Sequence, residues 1–299
     1  MFYKLRKSMA TQRFYRRTRT IMNTPPMPVV PAPLAIVSMV SNNDVPMYVL
    51  SMKSFYSRLG RGRLVVVVDR DMPEASRASL AHHFPGIEFQ VLEDIDTGPC
   101  QRGGTWERLV YLLGRTAQEY VIQIDCDTLC FGADIDEVLA CVAENRSFTL
   151  SGGEREIVSL PEAAQRARKI NHPYVGIAAE SLFDQYPGGE KLQYVRGSSG
   201  FAGFARGAFS RAQIEDFHVQ MEKLIPARWK EWGTEQCASN FAVANSPGAR
   251  VLPHPKYGNF DHHHDPAQSS FLHFIGAHRF DDDLFARLGE KIIGELRRP

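Results

Sequence analysis

The stretch Tyr120–Gly132, YVIQIDCDTLCFG, decides how this chain is read. An apolar run ends on two aspartates, Asp125 and Asp127, with one residue between them. Side chains two apart on an extended strand face the same way. Two carboxylates held together repel, and one is pushed toward protonation unless a cation intervenes. A hard divalent ion suits oxygen ligands, and Mg²⁺ typically takes one or two carboxylates together with substrate phosphates. The pair therefore reads as a metal site that also holds a phosphorylated ligand. The plainer alternative is two solvated loop aspartates. Cys126, between them, reads as a small buried thiol.

Upstream, strand and helix patterns alternate. LAIVSMV from Leu34 reads as a buried strand, and NNDVPMYVLSMKSFYSRL has helical spacing. RLVVVVDRD is nearly all valine, as in a parallel strand covered on both faces. MPEASRASLAHHF reads as a helix, IEFQVLED as a strand, TWERLVYLLGRTAQ as a helix, and then comes YVIQIDCD. This alternation predicts a doubly wound α/β sheet. In such sheets ligands bind beyond the carboxyl ends of the strands, where Asp125 and Asp127 lie. Downstream, Asp134 to Asn145 and TEQCASNFAVAN read as helices and FLHFIG as a late strand. GFAGFARGAF reads as a strand whose glycines mark a close approach.

The 299 residues suit one large domain or two small ones. Hydrophobic residues at 43% and charged residues at 23% fit a soluble globular chain. A formal charge of +1 gives no global pull toward nucleic acid, so no nucleic-acid partner is expected. The cysteines are odd in number and form no CxxC, which favours a reducing compartment over a disulfide framework. No apolar run is long enough to span a bilayer, and the first residues lack the apolar core of a secretory signal. The expected location is cytoplasmic.

Residues 1–33 stand apart. Lys4, Arg6, Lys7, Arg13, Arg16, Arg17 and Arg19 are interleaved with aromatic residues, and no acid is present before the proline-rich TPPMPVVPAP. The segment is expected to be a disordered, solvated tail with an extended linker, and the folded domain to span 34–299. Such a basic tail can also touch the anionic inner face of a membrane.

YVIQIDCDTLCFGADIDEVL resembles the DxD segment of GT-A glycosyltransferases, particularly the retaining, glycogenin-like and galactinol-synthase-like (family 8-like) group. That group follows its DxD with a threonine, a leucine and a short helix, as Thr128, Leu129 and Ile135 to Leu139 do here. SSFLHFIGAHRF resembles the group's HFxGxxKPW element, with Arg279 for its lysine and Phe280 and Asp281 for its Pro-Trp. The resemblance covers Leu34 to Phe280. It implies a single GT-A-like, Rossmann-like domain with a mostly parallel sheet flanked by helices. It implies that Asp125 and Asp127 bind Mn²⁺ (or Mg²⁺) bridged to a nucleoside diphosphate, with His273 as third ligand. Gly276 falls where backbone approaches the pyrophosphate. Arg279 would neutralise the leaving diphosphate, and arginine grips phosphate bidentately where lysine cannot.

RGSSGFAGF resembles the strand that borders donor sugar and acceptor, with Ser198 for the group's asparagine. WGTEQCASNF resembles a GxDQxxLN helix start, with Glu235 for aspartate and Gln236 matching. Glu235 and Gln236 thus become catalytic candidates that orient the sugar or stabilise an oxocarbenium-like transition state. The structural alternative is a helix start, where Thr234 caps and Glu235 complements the dipole. Ser38, Val40 and Ser41 are candidates for base and ribose. Asp69 meets the base or caps a turn, and Arg102 and Arg108 are candidates for phosphate. The implied partners are a nucleotide-sugar donor, a UDP-sugar first among them, and a sugar, lipid or protein acceptor.

Three other readings compete. IDCDTL also matches the DxDxT of haloacid-dehalogenase-like phosphatases, with Asp125 as nucleophile, but that motif belongs on a first strand. A sugar-nucleotide pyrophosphorylase needs a Gly- and Arg-rich loop that SMVSNNDVP is not. A non-catalytic nucleotide-sugar-binding protein is compatible with the departures at Ser198 and Glu235. The histidines of DHHHD, Asp261 to Asp265, read as an exposed loop rather than a zinc site.

Overall fold

Valine and isoleucine runs place buried strands where the sequence alternates. In a computed structural model, residues 2–261 and 265–298 are described. The chain is mixed α/β, with a large, mostly parallel sheet flanked by helices. Two compact units build it, each from segments distant in sequence.

The first unit comprises 1–91, 124–136 and 255–299. Strands Leu34–Met39, Arg63–Val68 and Glu88–Val91 lie side by side and parallel. Ile36, Val37, Val65, Val66 and Val67 are at most 1% exposed, as expected of strands covered on both faces. Helix Val45–Leu59 packs nearby, with Pro46 in its first turn and Gly60 in the left-handed conformation closing it. A smaller sheet joins Tyr257–Asn259, Phe271–His273 and Thr128–Cys130.

Residues 2–23 are not the disordered tail expected, whereas TPPMPVVPAP carries no helix or strand. Phe2–Thr18 is a helix followed by a 3₁₀ turn, Arg19–Asn23. The helix packs on the C-terminal helix Leu284–Leu296. Phe14, Thr18 and Ile21 are buried, so an apolar stripe three to four residues apart is satisfied within the unit. Two of the arginines offered for a membrane surface are engaged within the unit: Arg13 pairs with Asp283 and Arg17 with Glu290. Among the described residues, no helix is long and apolar enough to cross a membrane.

The second unit comprises 92–123 and 137–254. Strand Gly197–Phe204 runs antiparallel to Phe148–Ser151, with a register shift at Thr149/Leu150, and Arg250–Val251 pairs parallel to the latter. Of the glycines of GFAGFARGAF, Gly203 marks a close approach and Gly207 does not; Gly197, earlier in the same strand, marks another. A Cβ on Gly203 would strike the Phe148 ring and the Tyr120 hydroxyl, and one on Gly197 would strike Thr149. The neighbours are the protein's own side chains. Phe217 stacks on Phe241 with centroids 4.1 Å apart, between helices Arg211–Leu224 and Thr234–Ala244. All five cysteines are buried, and none is in a disulfide among the described residues.

Candidate metal centre

The strand Tyr120–Ile124 ends one residue before Asp125, and the short strand Thr128–Cys130 begins one residue after Asp127. The acidic pair therefore sits in a turn between strands. Helix Val45–Leu59 holds this turn from below. Ser51 Oγ lies 2.7 Å from Thr128 Oγ1 and donates to the Asp125 carbonyl at 3.3 Å, and Thr128 Oγ1 reaches the same carbonyl at 2.9 Å. Ser54 Oγ accepts from Cys130 N at 3.0 Å.

His273 arrives by strand pairing. Phe271–His273 runs antiparallel to Thr128–Cys130, placing His273 opposite Thr128. Phe274 N donates to the Asp127 carbonyl at 2.8 Å, which locks the register. One ligand atom from each of Asp125, Asp127 and His273 can be chosen so that all lie within 4.8 Å of one another. His273 Nε2 is 3.3 Å from Asp127 Oδ1 and 3.8 Å from Asp125 Oδ2. Its other nitrogen, Nδ1, is 2.9 Å from Asn259 Oδ1, and Asn259 pairs with His273 across the parallel strand Tyr257–Asn259. With Nδ1–H donating to that amide oxygen, the Nε2 lone pair faces the carboxylates, the tautomer a metal ligand needs.

Arg279 completes the cluster. Its Nη2 is 2.6 Å from Asp127 Oδ2, and its Nε donates to the Phe274 carbonyl at 3.4 Å. Asp127 is 5% exposed, so burial alone would raise its carboxyl pKa, yet the charge and hydrogen bond of His273 and the charge of Arg279 outweigh burial and hold it below the usual carboxylate value. For His273, burial pulls the imidazole down, and Asp127 and Asp125 overcome this and raise it. Two carboxylates, one oriented imidazole and a neighbouring guanidinium fit a hard or borderline divalent cation beside an anion.

The remaining candidates of this unit are placed less openly. Ser38 is fully buried within its strand and its hydroxyl has no hydrogen-bond partner; Val40 is buried as well. Ser41 is half-buried and donates to Asp44 Oδ2 at 2.6 Å. The Asp69 carbonyl closes a turn, accepting from Met72 N and from Arg77 Nη2, each at 3.1 Å. Gly276 has φ 51°, in the left-handed region, with no atom near where a Cβ would stand. His262, His263 and His264 lie outside the described residues.

In the second unit a different cluster surrounds Glu235, which is 3% exposed at the start of helix Thr234–Ala244. Its carboxylate accepts from Ser199 Oγ and Thr105 Oγ1, each at 3.1 Å, and from Gln123 Nε2 at 3.4 Å. Arg108 Nη2 is 3.8 Å away and also buried, so this arginine meets a carboxylate of its own unit. Arg102 is exposed and donates to the Ile95 carbonyl at 2.8 Å. Thr234 does not cap the helix: its hydroxyl lies 3.0 Å from Trp106 Nε1 and donates to the Gln101 side-chain oxygen at 3.0 Å. Gln236 is half-buried, 3.5 Å from the Tyr174 hydroxyl. Ser198 is buried, and its Oγ accepts from Gly200 N at 3.4 Å.

Sequence reading missed Asn259 behind His273, and Gln123, Ser199 and Thr105 around Glu235. One signal was present: Gln123 is a polar residue inside the apolar strand YVIQI, which burial permits only with partners.

No protein-family model matches the chain, and no curated protein matches it. Solved structures do. An active-site mutant of LgtC is 13% identical, with 87% of this chain and 95% of that one covered at a TM-score of 0.50. Galactosyltransferase LgtC in complex with donor and acceptor sugar analogues is 14% identical, with 89% and 97% covered and a TM-score of 0.50. Mouse xyloside xylosyltransferase 1 in its apo form is 12% identical, with 84% and 99% covered and a TM-score of 0.47. The likeness to LgtC is one of fold: the chain has the GT-A fold of glycosyltransferases.

Proposed function

We propose that this protein is a metal-dependent glycosyltransferase that takes a sugar from a nucleotide-sugar donor, with retention at the anomeric carbon. The observation that carries the proposal is the meeting of Asp125, Asp127 and His273, from two segments distant in sequence, beside Arg279. The fold shared with LgtC, solved with donor and acceptor sugar analogues, supports the reading.

Asp125, Asp127 and His273 would hold Mn²⁺ or Mg²⁺, which supplies Lewis-acid neutralisation of the diphosphate oxygens. Asn259 fixes the imidazole so that Nε2 serves as ligand. Arg279 lies beside Asp127 and would move its charge onto the departing diphosphate, where negative charge develops. Gly276, with no side chain, leaves backbone free to approach phosphate. Ser41 and Asp69 are assigned to the nucleoside, with the backbone of Ser38 and Val40. Gln236 is assigned to the sugar, together with Glu235, whose buried network orders the helix start that presents it. Arg108, anchored on Glu235, and Ser198 support that shell. A UDP-sugar is the first donor to test, and the acceptor is a sugar, lipid or protein.

The phosphatase reading fits less well. It needs Asp127 as a proton donor, whereas His273 and Arg279 hold that carboxyl below its usual value against the pull of burial. Its motif also belongs on a first strand, and three strands precede this one.

Titration with UDP-, GDP- and CDP-sugars, with and without Mn²⁺, tests the proposal. One donor should bind only with the metal. Absence of metal-dependent binding by all of them, or turnover of a generic phosphomonoester, would reject it.

A further inference from the structure

The chemistry above leaves the basic, aromatic N-terminal segment without a task. Its contacts lead straight to the metal centre. Phe14 is 2% exposed, with its ring 4.5 Å from Phe285 and 5.1 Å from Phe280. Phe285 stacks on Phe274 at 4.3 Å with an interplanar angle of 6°. Phe274 follows His273 and donates its N–H to Asp127. An aromatic column thus joins the first helix to the ligand pair.

Charges reinforce it. Arg13 Nη1 donates to Asp283 Oδ2 at 2.9 Å, and Arg17 Nη1 stands 3.5 Å from the same oxygen. Arg17 also forks onto Glu290, its Nε donating to Oε1 at 2.9 Å. Their shared partner is strained: Asp282 and Asp283 are consecutive non-glycine residues with φ of 56° and 53°. Left-handed conformations are costly for such residues and persist only where neighbours over-determine them. This turn directly follows Arg279 and Phe280. On the other side of the helix stripe, the Tyr15 hydroxyl donates to the Asn43 carbonyl at 3.3 Å, next to the Ser41–Asp44 pair. Burial and Asp44 push that hydroxyl up to about 12, with Arg279 pulling the other way, so Tyr15 lies within the field of the diphosphate-side cation.

We propose that the Phe2–Thr18 helix is a positioning element of the donor site: Arg13, Phe14 and Arg17 fix the 276–283 segment so that Arg279 is presented to a nucleoside diphosphate. Tyr15 braces the Ser41 edge in the same way. The inference rests on the glycosyltransferase reading for its ligand, but the mechanical half stands on the fold alone.

The test is a charge swap on the full chain. Arg13→Glu and Asp283→Arg are made singly and together. Amide hydrogen exchange of 276–283 and calorimetric titration with Mn²⁺ alone and with Mn²⁺ plus UDP are measured. Each single variant should speed exchange in 276–283 and weaken UDP binding roughly threefold to fivefold, the scale of one surface ion pair. The double variant should recover part of both losses, because the new arginine at 283 still faces Arg17. Mn²⁺ alone should bind all three as it binds the parent, because Asp125, Asp127 and His273 do not shift. Unchanged exchange in both single variants would overturn the inference, as would unchanged UDP affinity despite faster exchange. Equal loss of Mn²⁺ affinity would also overturn it, because the effect would then be general loosening. If the parent itself binds no UDP with Mn²⁺, the ligand reading fails instead, and the exchange data still decide whether the helix fixes the segment.

Discussion

The two carboxylate oxygens of Asp127 face two different side chains: Oδ1 lies 3.3 Å from His273 Nε2 and Oδ2 lies 2.6 Å from Arg279 Nη2. A single buried carboxylate thus joins a would-be metal ligand to a would-be phosphate ligand, and its neighbours can be separated by substitution.

Asp127→Asn keeps the shape and removes the charge. Metal-dependent donor binding should be abolished, as read by calorimetry with Mn²⁺ and UDP. Undiminished affinity would reject Asp127 as a ligand. His273→Ala should weaken binding less, because both carboxylates remain.

Asn259→Leu should leave all three ligands in place while freeing the imidazole to rotate. Loss of such an outer partner costs metal affinity roughly 10- to 100-fold. Mn²⁺ titration followed by electron paramagnetic resonance reads this directly. Asn259→Asp, which still accepts from Nδ1–H, should retain most of the affinity.

Arg279→Ala should separate diphosphate from metal. Hydrogen bonds to charged groups contribute about 1.5–3 kcal/mol, so UDP affinity in the presence of Mn²⁺ should fall roughly tenfold to a hundredfold. Binding of Mn²⁺ alone should not weaken, since a competing cation has left Asp127. Arg279→Lys should recover part of the loss, as a point charge without the bidentate fork.

Stability should fall on acidification through a site remote from the chemistry. Lys53 Nζ is buried, 2.9 Å from Thr24 Oγ1 and 3.1 Å from His83 Nδ1. Burial and the Lys53 charge lower His83 from 6.5 to about 4. The unfolded chain therefore binds a proton more readily across that interval, and stability, fully present above pH 6.5, is lost as pH falls toward 4. The loss at the lower end is roughly 3 kcal/mol. Burial likewise lowers Lys53 to about 8, so stability should rise between that pH and 10.5. Urea unfolding across pH, compared with His83→Gln, checks the acid limb: the variant should flatten it.

The sequence by itself determined the sheet and its acidic tip. Strands such as RLVVVV and YVIQI are legible because burial on both faces demands a continuous apolar run, and the acidic pair directly follows the second; that the pair sits in a turn rather than on the strand was decided by the fold. The pairing of His273 with that tip was legible only through resemblance, because nothing local in FLHFIG says which strand it will join. Tertiary structure alone decided the rest. Asn259 reaches His273 through strand register, and Glu235 gathers Ser199, Gln123 and Thr105 from separate segments. The basic N-terminal segment reads as a solvated tail because its charge dominates its composition. It folds because Phe14, Thr18 and Ile21 form a narrow apolar stripe and Asp283 and Glu290 accept its arginines. Those partners lie at the other end of the chain, and only a folded molecule brings them within reach.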